Sequence, residues 1–253
     1  MLLIFAALLI GLSLGVFSSG GSILTVPLLV YLAGQEPKVA IASSLVVVGS
    51  ISFFSSLINI RHAVISWHHV LLFGFPSMTG MVLGASLANF FSGTVQLLSF
   101  GFIMLLAVKI MWKSSTAQEK TPVRQNNIVL VTYGVTVGII TGFVGVGGGF
   151  LIVPALVILA GVPFIKAAAT SLVIITLNSF AGFIKYQSVL DAHSLSLDWN
   201  LLTLVIITGT IGSIVGQKCA KSLPRKQLMK GFSIFLLIMA TFIIYESFFT
   251  LLY

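Results

Sequence analysis

Long apolar runs follow one another almost end to end along this chain, separated only by short polar stretches. Most of them are close to the roughly 20 residues that a helix needs to cross the hydrocarbon core of a bilayer. Lipid offers no partner to backbone N–H and C=O groups, so such runs must be helical; the alternation of a transmembrane β-barrel is not seen. Only 7% of the 253 residues are charged, which is too few to cover a water-facing surface. The sequence therefore predicts an all-α, polytopic membrane protein in a lipid bilayer.

The chain contains an internal sequence repeat. The segments 20–34 and 147–161, "GGSILTVPLLVYLAG" and "GGGFLIVPALVILAG", are identical at ten of fifteen positions. The match continues at the same offset of 127 residues into "AIASSLVV" and "AAATSLVI". After a five-residue insertion the offset is 132, so that Trp67 matches Trp199 and Gly80 matches Gly212. Repetition of this extent predicts two tandem membrane repeats.

Each repeat contains five apolar segments. In the first repeat they cover about 2–17, 21–34, 38–60, 67–91 and 94–113, and in the second about 127–144, 148–161, 165–185, 199–217 and 231–252. The predicted domains are therefore a first membrane repeat over 1–113, a cytoplasmic linker over 114–126 and a second membrane repeat over 127–253.

The second segment of each repeat is short for a membrane span. About 14 residues of α-helix rise only about 21 Å. The glycine pair at its start tolerates a sharp turn, and the proline inside it, Pro27 or Pro154, removes a backbone donor. We expect a broken or re-entrant helix at this point of each repeat.

The basic residues indicate that the two repeats have inverted topology. The loop between the fourth and fifth segments has no Lys or Arg in the first repeat, whereas its equivalent holds Lys218, Lys221, Arg225, Lys226 and Lys230. The loop after the third segment shows the opposite bias. Because cytoplasmic loops collect Lys and Arg, equivalent loops are predicted to face opposite sides, with the linker inside and both termini outside. This orientation also explains the net charge of +8, so no nucleic-acid partner is expected.

The two glycine-rich tips are the first candidate substrate site. Transporters with inverted repeats use broken helices whose ends face a cavity near the midplane. The start of such a helix presents unpaired N–H groups and the positive end of the helix dipole. The candidate residues are Gly20, Gly21, Gly147, Gly148 and Gly149. Brought together by a pseudo-two-fold axis, they would form one shared cradle for a small anion. The alternative is that these glycines serve close helix packing.

Polar side chains of the third segments are the second candidate. Ser44, Thr170, Ser171 and Asn178 could ligate an oxyanion without bringing a fixed charge into the membrane. The alternative is hydrogen bonding between helices or to the helix's own carbonyls. Further hydroxyls and amides follow along the same two segments, at Ser50, Ser52, Ser55, Ser56, Asn59, Thr176 and Ser179.

Catalytic and metal-binding constellations are not evident in the sequence. Four of the five carboxylates fall in loops, and Glu246 lies toward the end of the last segment. The single cysteine, Cys219, has no histidine beside it, and the pair His68–His69 lacks the spacing of a two-histidine metal face. We therefore expect no cofactor and no enzymatic activity.

The motifs quoted above make the chain similar to the sulfite exporter TauE/SafE family. The resemblance rests on "GGSILTVPLL" with "AIASSL" and on "GVGGGFLIVPAL" with "AAATSL", and it covers essentially the whole chain. It implies a multi-pass permease of the bacterial cytoplasmic (inner) membrane, in a family linked to export of sulfite, sulfoacetate and related anions. The first copy has "SSGG" where the second has "GVGGG", so we expect two unequal half-sites.

Together these features predict a secondary transporter, and specifically an exporter, of a small sulfur-containing anion. It would work by alternating access between the two repeats. A passive anion channel is the main alternative, followed by an intramembrane enzyme or a scaffold. The partners expected are the anionic substrate and the bilayer, and the sequence leaves homo-oligomerisation open.

Overall fold

A computed structural model describes residues 2–18, 20–61, 64–116, 126–192 and 195–252. Over these residues the chain forms ten helices, five in each repeat, and no strand. The first repeat contains α1 (Leu2–Phe17), α2 (Gly20–Leu32), α3 (Pro37–Arg61), α4 (Trp67–Ala88) and α5 (Gly93–Thr116). The second contains α6 (Asn127–Val144), α7 (Gly149–Leu159), α8 (Phe164–Ala192), α9 (Trp199–Lys221) and α10 (Arg225–Leu252). The all-α, polytopic architecture is confirmed.

Six of these helices are long and apolar enough to cross a membrane, namely α3, α4, α6, α8, α9 and α10. The apolar stretches of the other four are shorter. Large apolar side chains cover much of the outer surface, for example Leu83, Phe180 and Ile238, each more than half exposed. Such a surface is suited to lipid and not to water.

Several helices extend beyond the predicted segments. The third helix of the second repeat was expected to end at 185, but α8 continues to Ala192. Likewise α10 begins at Arg225 instead of 231, and α5 runs to Thr116, into the predicted linker. The predicted ends were set where charged residues begin. A charged side chain can nonetheless stay in a helix when its head reaches water beyond the apolar stem. The rest of the linker, 117–125, lies outside the described residues.

The packing of the helices follows a pseudo-two-fold symmetry. The first helix of each repeat packs on the fourth helix of the other, so α1 contacts α9 and α6 contacts α4. The third helices α3 and α8 contact each other, as do the fifth helices α5 and α10 and the short helices α2 and α7. The two repeats are therefore interleaved into one bundle.

The register of these contacts gives the helix directions. Gly11 and Gly15 of α1 approach the backbone of Gly209 and Ser213 of α9, so α1 and α9 are parallel. A hydrogen bond between the Ser55 and Ser213 hydroxyls and one from Asn59 to Gln217 make α3 parallel to α9 as well.

The matching helices of the second repeat show the same arrangement. Gly134, Gly138 and Gly142 of α6 lie against Phe73, Ser77 and Met81 of α4, in the same order along both helices. Asn178 and Gly182 place α8 parallel to α4 in the same way.

The third helices run in opposite directions. Gly49 of α3 lies opposite Ser179 of α8, and Leu45 lies opposite Gly182, so residue numbers rise in opposite senses. Since α1 is parallel to α3 and α6 is parallel to α8, the first helices of the two repeats are also antiparallel. The inverted topology is confirmed. Because α2 connects two parallel helices, and α7 does too, both short helices must turn back within the bundle.

The short helices are widened after their prolines. Pro27 and Pro154 each lie inside the helix, where a proline cannot donate the usual backbone hydrogen bond. Each is followed by a five-residue π-helical turn, closed by N–H···O bonds of 3.1 Å from Ala33 to Leu28 and 3.2 Å from Ala160 to Ala155. Left-handed glycines at 34 and 161 then end both helices.

The two faces of the bundle differ in charge. Given the helix directions, one face carries the end of α3, the start of α8 and the α9–α10 connection, with nine described Lys and Arg positions: 61, 109, 113, 166, 218, 221, 225, 226 and 230. We call it the basic face. The opposite, acidic face carries Glu36, Asp191, Asp198 and Glu246, together with Lys38 and Lys185.

Candidate substrate site

The tip that leads into α7 is built from left-handed glycines. Gly145, Gly147 and Gly148 have φ values of +73°, +68° and +85°, which side chains with a Cβ rarely adopt. The tip is also crowded, because a Cβ at Gly147 would stand 2.6 Å from the Ser179 hydroxyl oxygen. Gly149 is the first residue of α7. Gly147 thus lies directly against the Ser179 side chain of α8.

The tip that leads into α2 is different in detail. Ser18, the counterpart of Gly145, adopts a left-handed conformation with φ of +55° although it is not glycine. Gly20 and Gly21 are already helical and lie against Ser13 and Leu14 of α1. The two tips therefore differ in backbone, since one is a loop of left-handed glycines and the other is the start of a helix. That they form two unequal half-sites stays a prediction.

Each tip is held by a serine of the opposite repeat. Ser44 Oγ on α3 donates to the carbonyl oxygen of Gly145, 3.2 Å away. Ser171 Oγ on α8 donates to the carbonyl oxygen of Ser18 at 3.4 Å. Both serines also bond a carbonyl of their own helix at 2.8 Å. These two predicted site residues therefore have their O–H groups engaged with backbone, at positions related by the repeat.

The outer residues of the two tips lie on opposite sides of the bundle. Ser18 bonds Ser171 near the start of α8, whereas Gly145 lies by Tyr186 near its end. Farther in, Gly147 lies against Ser179 and Leu45, and the short helices α2 and α7 contact each other. The single cradle stays a prediction.

The remaining predicted residues lie on α8. Thr170 Oγ1 donates to the Lys166 carbonyl at 2.6 Å and accepts the backbone N–H of Ser66 at 3.0 Å. Asn178 Nδ2 donates to Ser77 Oγ at 2.5 Å, whereas Asn178 Oδ1 is buried without a partner. Thr170 thus ties the α3–α4 connection to α8, and Asn178 retains an unused acceptor in the interior.

Two of the further hydroxyls on the third helices stand out. Ser52 on α3 and Ser179 on α8 are 0% and 1% exposed, and neither hydroxyl has a hydrogen-bond partner. They lie 127 residues apart, so they are equivalent positions of the two repeats. In the sequence, this pair can be recognised because both copies of the repeat have a serine at the same position. It was hidden among the many other serines of the same helices.

Among the described residues, no group of three or more His, Cys, Asp or Glu is placed to hold a metal ion. In the described part of the chain, the buried polar side chains are Ser, Thr, Asn and Gln, all of them neutral.

Comparison with known proteins adds the family. The family model described as sulfite exporter TauE/SafE matches residues 3–243. The chain belongs to this family. TauE/SafE membership agrees with the resemblance seen in the repeated motifs and with the helical bundle described above.

Relatives of this TauE/SafE chain cover most of its length. A "Probable membrane transporter protein" of Xylella fastidiosa is 28% identical in an alignment 246 positions long, which covers 94% of this chain and 92% of the relative. YunE of Bacillus subtilis, with the same description, is 26% identical in an alignment 257 positions long, which covers 91% of this chain and 92% of the relative. A third, from Methanocaldococcus jannaschii, is 31% identical over 196 residues, 73% and 71% of the two chains. No solved structure matches the chain significantly. The TauE/SafE protein is therefore a multi-pass membrane transporter, embedded in a bilayer and acting on a small-molecule substrate.

Proposed function

We propose that the protein is a secondary transporter that exports a small anion of the sulfite and organosulfonate class by alternating access between its two inverted repeats. The family description, sulfite exporter TauE/SafE, is the basis for the proposed substrate class. The inverted, interleaved repeats supply two half-bundles of similar structure that can exchange roles on rocking.

The observation that carries the proposal is the pair of unpartnered hydroxyls at the crossing of α3 and α8. A buried polar group without a partner costs about 1–3 kcal/mol. Ser52 and Ser179 therefore lower stability where two alanines would not. Hydroxyls without a hydrogen-bond partner in the protein are free to donate to an oxyanion that enters the bundle. Their equivalent positions in antiparallel helices place them on opposite sides of the pseudo-two-fold axis.

The α7 tip completes the proposed site. Ser179 Oγ borders Gly147, so a bound oxyanion could accept from this hydroxyl and from the peptide N–H groups of Gly147, Gly148 and Gly149. Gly20 and Gly21 start the equivalent station of the α2 tip. We propose that the anion visits the two stations in turn as the bundle rocks. In this scheme Ser44 and Ser171 position the tips through their carbonyl bonds, Thr170 braces α8, and Asn178 orients Ser77 beside the path.

The charge difference between the faces supports an orientation. Lys and Arg concentrate on cytoplasmic surfaces, so we place the basic face and the 114–126 linker inside and both termini outside. The membrane is then the bacterial cytoplasmic membrane. No nucleotide-binding motif occurs in the sequence, so an ion gradient, the membrane potential or the substrate gradient drives transport.

Anion flux in proteoliposomes tests the function, with sulfite, sulfoacetate, sulfate and thiosulfate as substrates. We expect saturable flux of at least one of them, and accelerated exchange when the same anion is present on both sides. Absence of flux for all four would overturn the proposal. Flux that neither saturates nor shows exchange would instead indicate the channel alternative.

The double variant Ser52→Ala, Ser179→Ala tests the site. We expect at least a tenfold loss of flux with thermal stability unchanged or raised, because the alanines remove two unpartnered polar groups. Ser99→Ala is the matched control, since Ser99 Oγ bonds only the Val95 carbonyl of its own helix. Equal flux in the double variant and the wild type would exclude the serine pair from the transport path.

A further inference from the structure

A cavity of about 60 Å³ lies where five helices meet at the basic face. It is lined by Gly15, Val16, Ser18, Asn59, Phe164, Ile165, Ala168, Ala169, Gln217, Ala220 and Leu228. A water molecule needs only about 10–15 Å³ of such volume, so the cavity has room for a few waters or for one small oxyanion. We call it the basic-face vestibule.

One unpaired amide group, that of Gln217, belongs to the lining of the vestibule. Asn59 Nδ2 donates to the Ser55 carbonyl and to Gln217 Oε1, both at 3.2 Å. Because Oε1 of Gln217 accepts this bond, only the Nε2 group of the carboxamide is left unpaired. That nitrogen is buried and has no hydrogen-bond partner. An NH₂ group that has no acceptor is suited to an anion, which brings acceptors only.

The surrounding charge also favours an anion. Lys166, Lys218 and Lys230 lie within two positions of lining residues, and all three are exposed. No described carboxylate lines the vestibule, because the described acidic residues lie at the opposite face. A cleft rimmed by one sign of charge raises the local concentration of the opposite ion.

The equivalent location at the acidic face is filled. The repeat offsets of 127 and 132 residues pair Asn59 with Tyr186, Ser18 with Gly145, and Gln217 with Ala85. Tyr186 is 1% exposed, and its hydroxyl oxygen would stand 2.9 Å from a Cβ at Gly145. That hydroxyl has no partner. A phenol ring thus occupies the place that Asn59 leaves open at the basic face.

We propose that the basic-face vestibule is the site where a small oxyanion first binds, that Gln217 Nε2, positioned by Asn59, donates to it, and that Tyr186 closes the pseudo-symmetric site at the acidic face. The proposal rests on the transporter function. It adds the side from which substrate enters: the conformation described takes substrate from the basic face. Because Asn59 and Gln217 have no amide counterparts in the other repeat, the two faces differ in chemistry as well as in conformation.

Thiol labelling with a membrane-impermeant methanethiosulfonate bearing a sulfonate group tests this in oriented membrane vesicles. The background is Cys219→Ser, which removes the exposed native thiol. Ala220→Cys reports on the vestibule, and Ala88→Cys, its repeat counterpart, is the matched control at the acidic face. Ala169→Cys and Ala42→Cys form a second matched pair, for use where the first pair does not fold.

We expect the vestibule cysteine to react from the basic face at least ten times faster than its counterpart reacts from the acidic face. Sulfate should slow the vestibule reaction at least threefold relative to chloride at equal ionic strength. Adding Gln217→Leu should remove this protection while the reaction in chloride stays within twofold.

Equal labelling of the two cysteines, or protection that survives Gln217→Leu, would overturn the proposal. The labelling requires no net transport, so it separates the two claims. A protein that moves none of the four anions yet shows sulfate protection would refute the transport function and support the vestibule. A protein that transports but shows no protection would refute the vestibule alone.

Discussion

Ser44 donates a hydrogen bond to the carbonyl oxygen of Gly145, 3.2 Å away at the glycine tip of the other repeat. Ser171 makes the counterpart bond to Ser18 in the opposite direction. Each repeat therefore holds the re-entrant hairpin of its neighbour by the carbonyl of a left-handed residue. This reciprocal clamp ties the position of each tip to the third helix of the other half, which is where a rocking motion would act.

The clamp leads to a first prediction. Ser44→Ala leaves the Gly145 carbonyl without this donor, so we expect a loss of about 1 kcal/mol in stability. Hydrogen–deuterium exchange should accelerate at residues 145–149 more than elsewhere. Ser56→Ala is the control, because Ser56 Oγ bonds only a carbonyl of its own helix. Equal acceleration in both variants would contradict the clamp.

The left-handed residues of the two hairpins lead to a second prediction. Ser18→Gly and Gly145→Ala should change the free energy of unfolding in opposite directions. A non-glycine residue in this region costs roughly 1–2 kcal/mol, partly offset by the greater freedom of glycine in the unfolded chain. Ser18→Gly should therefore raise stability, by roughly 0.5 kcal/mol, while keeping the carbonyl that Ser171 bonds. Gly145→Ala should lower it, since a Cβ there would collide with Ile41 and crowd Tyr186. Thermal unfolding in detergent measures both, and a stabilising Gly145→Ala would refute the argument.

Close helix packing supplies a third prediction. A Cβ at Gly80 would stand 2.9 Å from the Ile139 nitrogen and 3.0 Å from Gly138 Cα, against rigid backbone. Gly80→Ala should therefore separate α4 from α6 and reduce the yield of folded protein severalfold. Gly231→Ala is the contrast, because its nearest neighbour is the Phe17 ring at 3.7 Å. That helical position should gain about 0.5–1 kcal/mol. Equal yields for the two variants would contradict this account of the packing.

The proline-widened turns give a fourth prediction. The double variant Pro27→Ala, Pro154→Ala restores a backbone N–H in each short helix, so both helices can form the α-helical hydrogen bond that proline prevents. We expect higher thermal stability, by about 1 kcal/mol or more, and at least a fivefold slower anion flux if the wide turns serve the rocking motion. Unchanged flux together with raised stability would assign the prolines a purely structural role.

Much of this architecture follows from the amino-acid sequence alone. The paired prolines, the glycine ends at 34 and 161 and the 127-residue offset predict two short interrupted helices at equivalent places, and both are present. The bias of Lys and Arg predicts inverted repeats, which the helix directions confirm. These features are local or linear: a proline removes its donor wherever it lies, and a charge avoids lipid in any fold.

The candidate site was harder to predict. Gly20, Gly147 and Ser44 are predicted around a single pocket, but the sequence does not encode which side chains each tip meets. Those contacts depend on the register between α8 and its neighbours, which is set by packing between residues far apart in the chain. Ser52 and Ser179 were hidden for the same reason, since a hydroxyl can be recognised as unpartnered only when its neighbours are known.

The sequence by itself determined that this chain is a membrane-embedded helical protein of two inverted modules, each with a broken helix, because apolar length, proline and charge act on each segment independently. Only the tertiary structure decided that Ser44 and Ser171 clamp the tips across the repeats, and that Tyr186 fills the place of Asn59. Those outcomes arise from side chains meeting across helices, where volume and hydrogen-bond geometry, and not composition, set the arrangement.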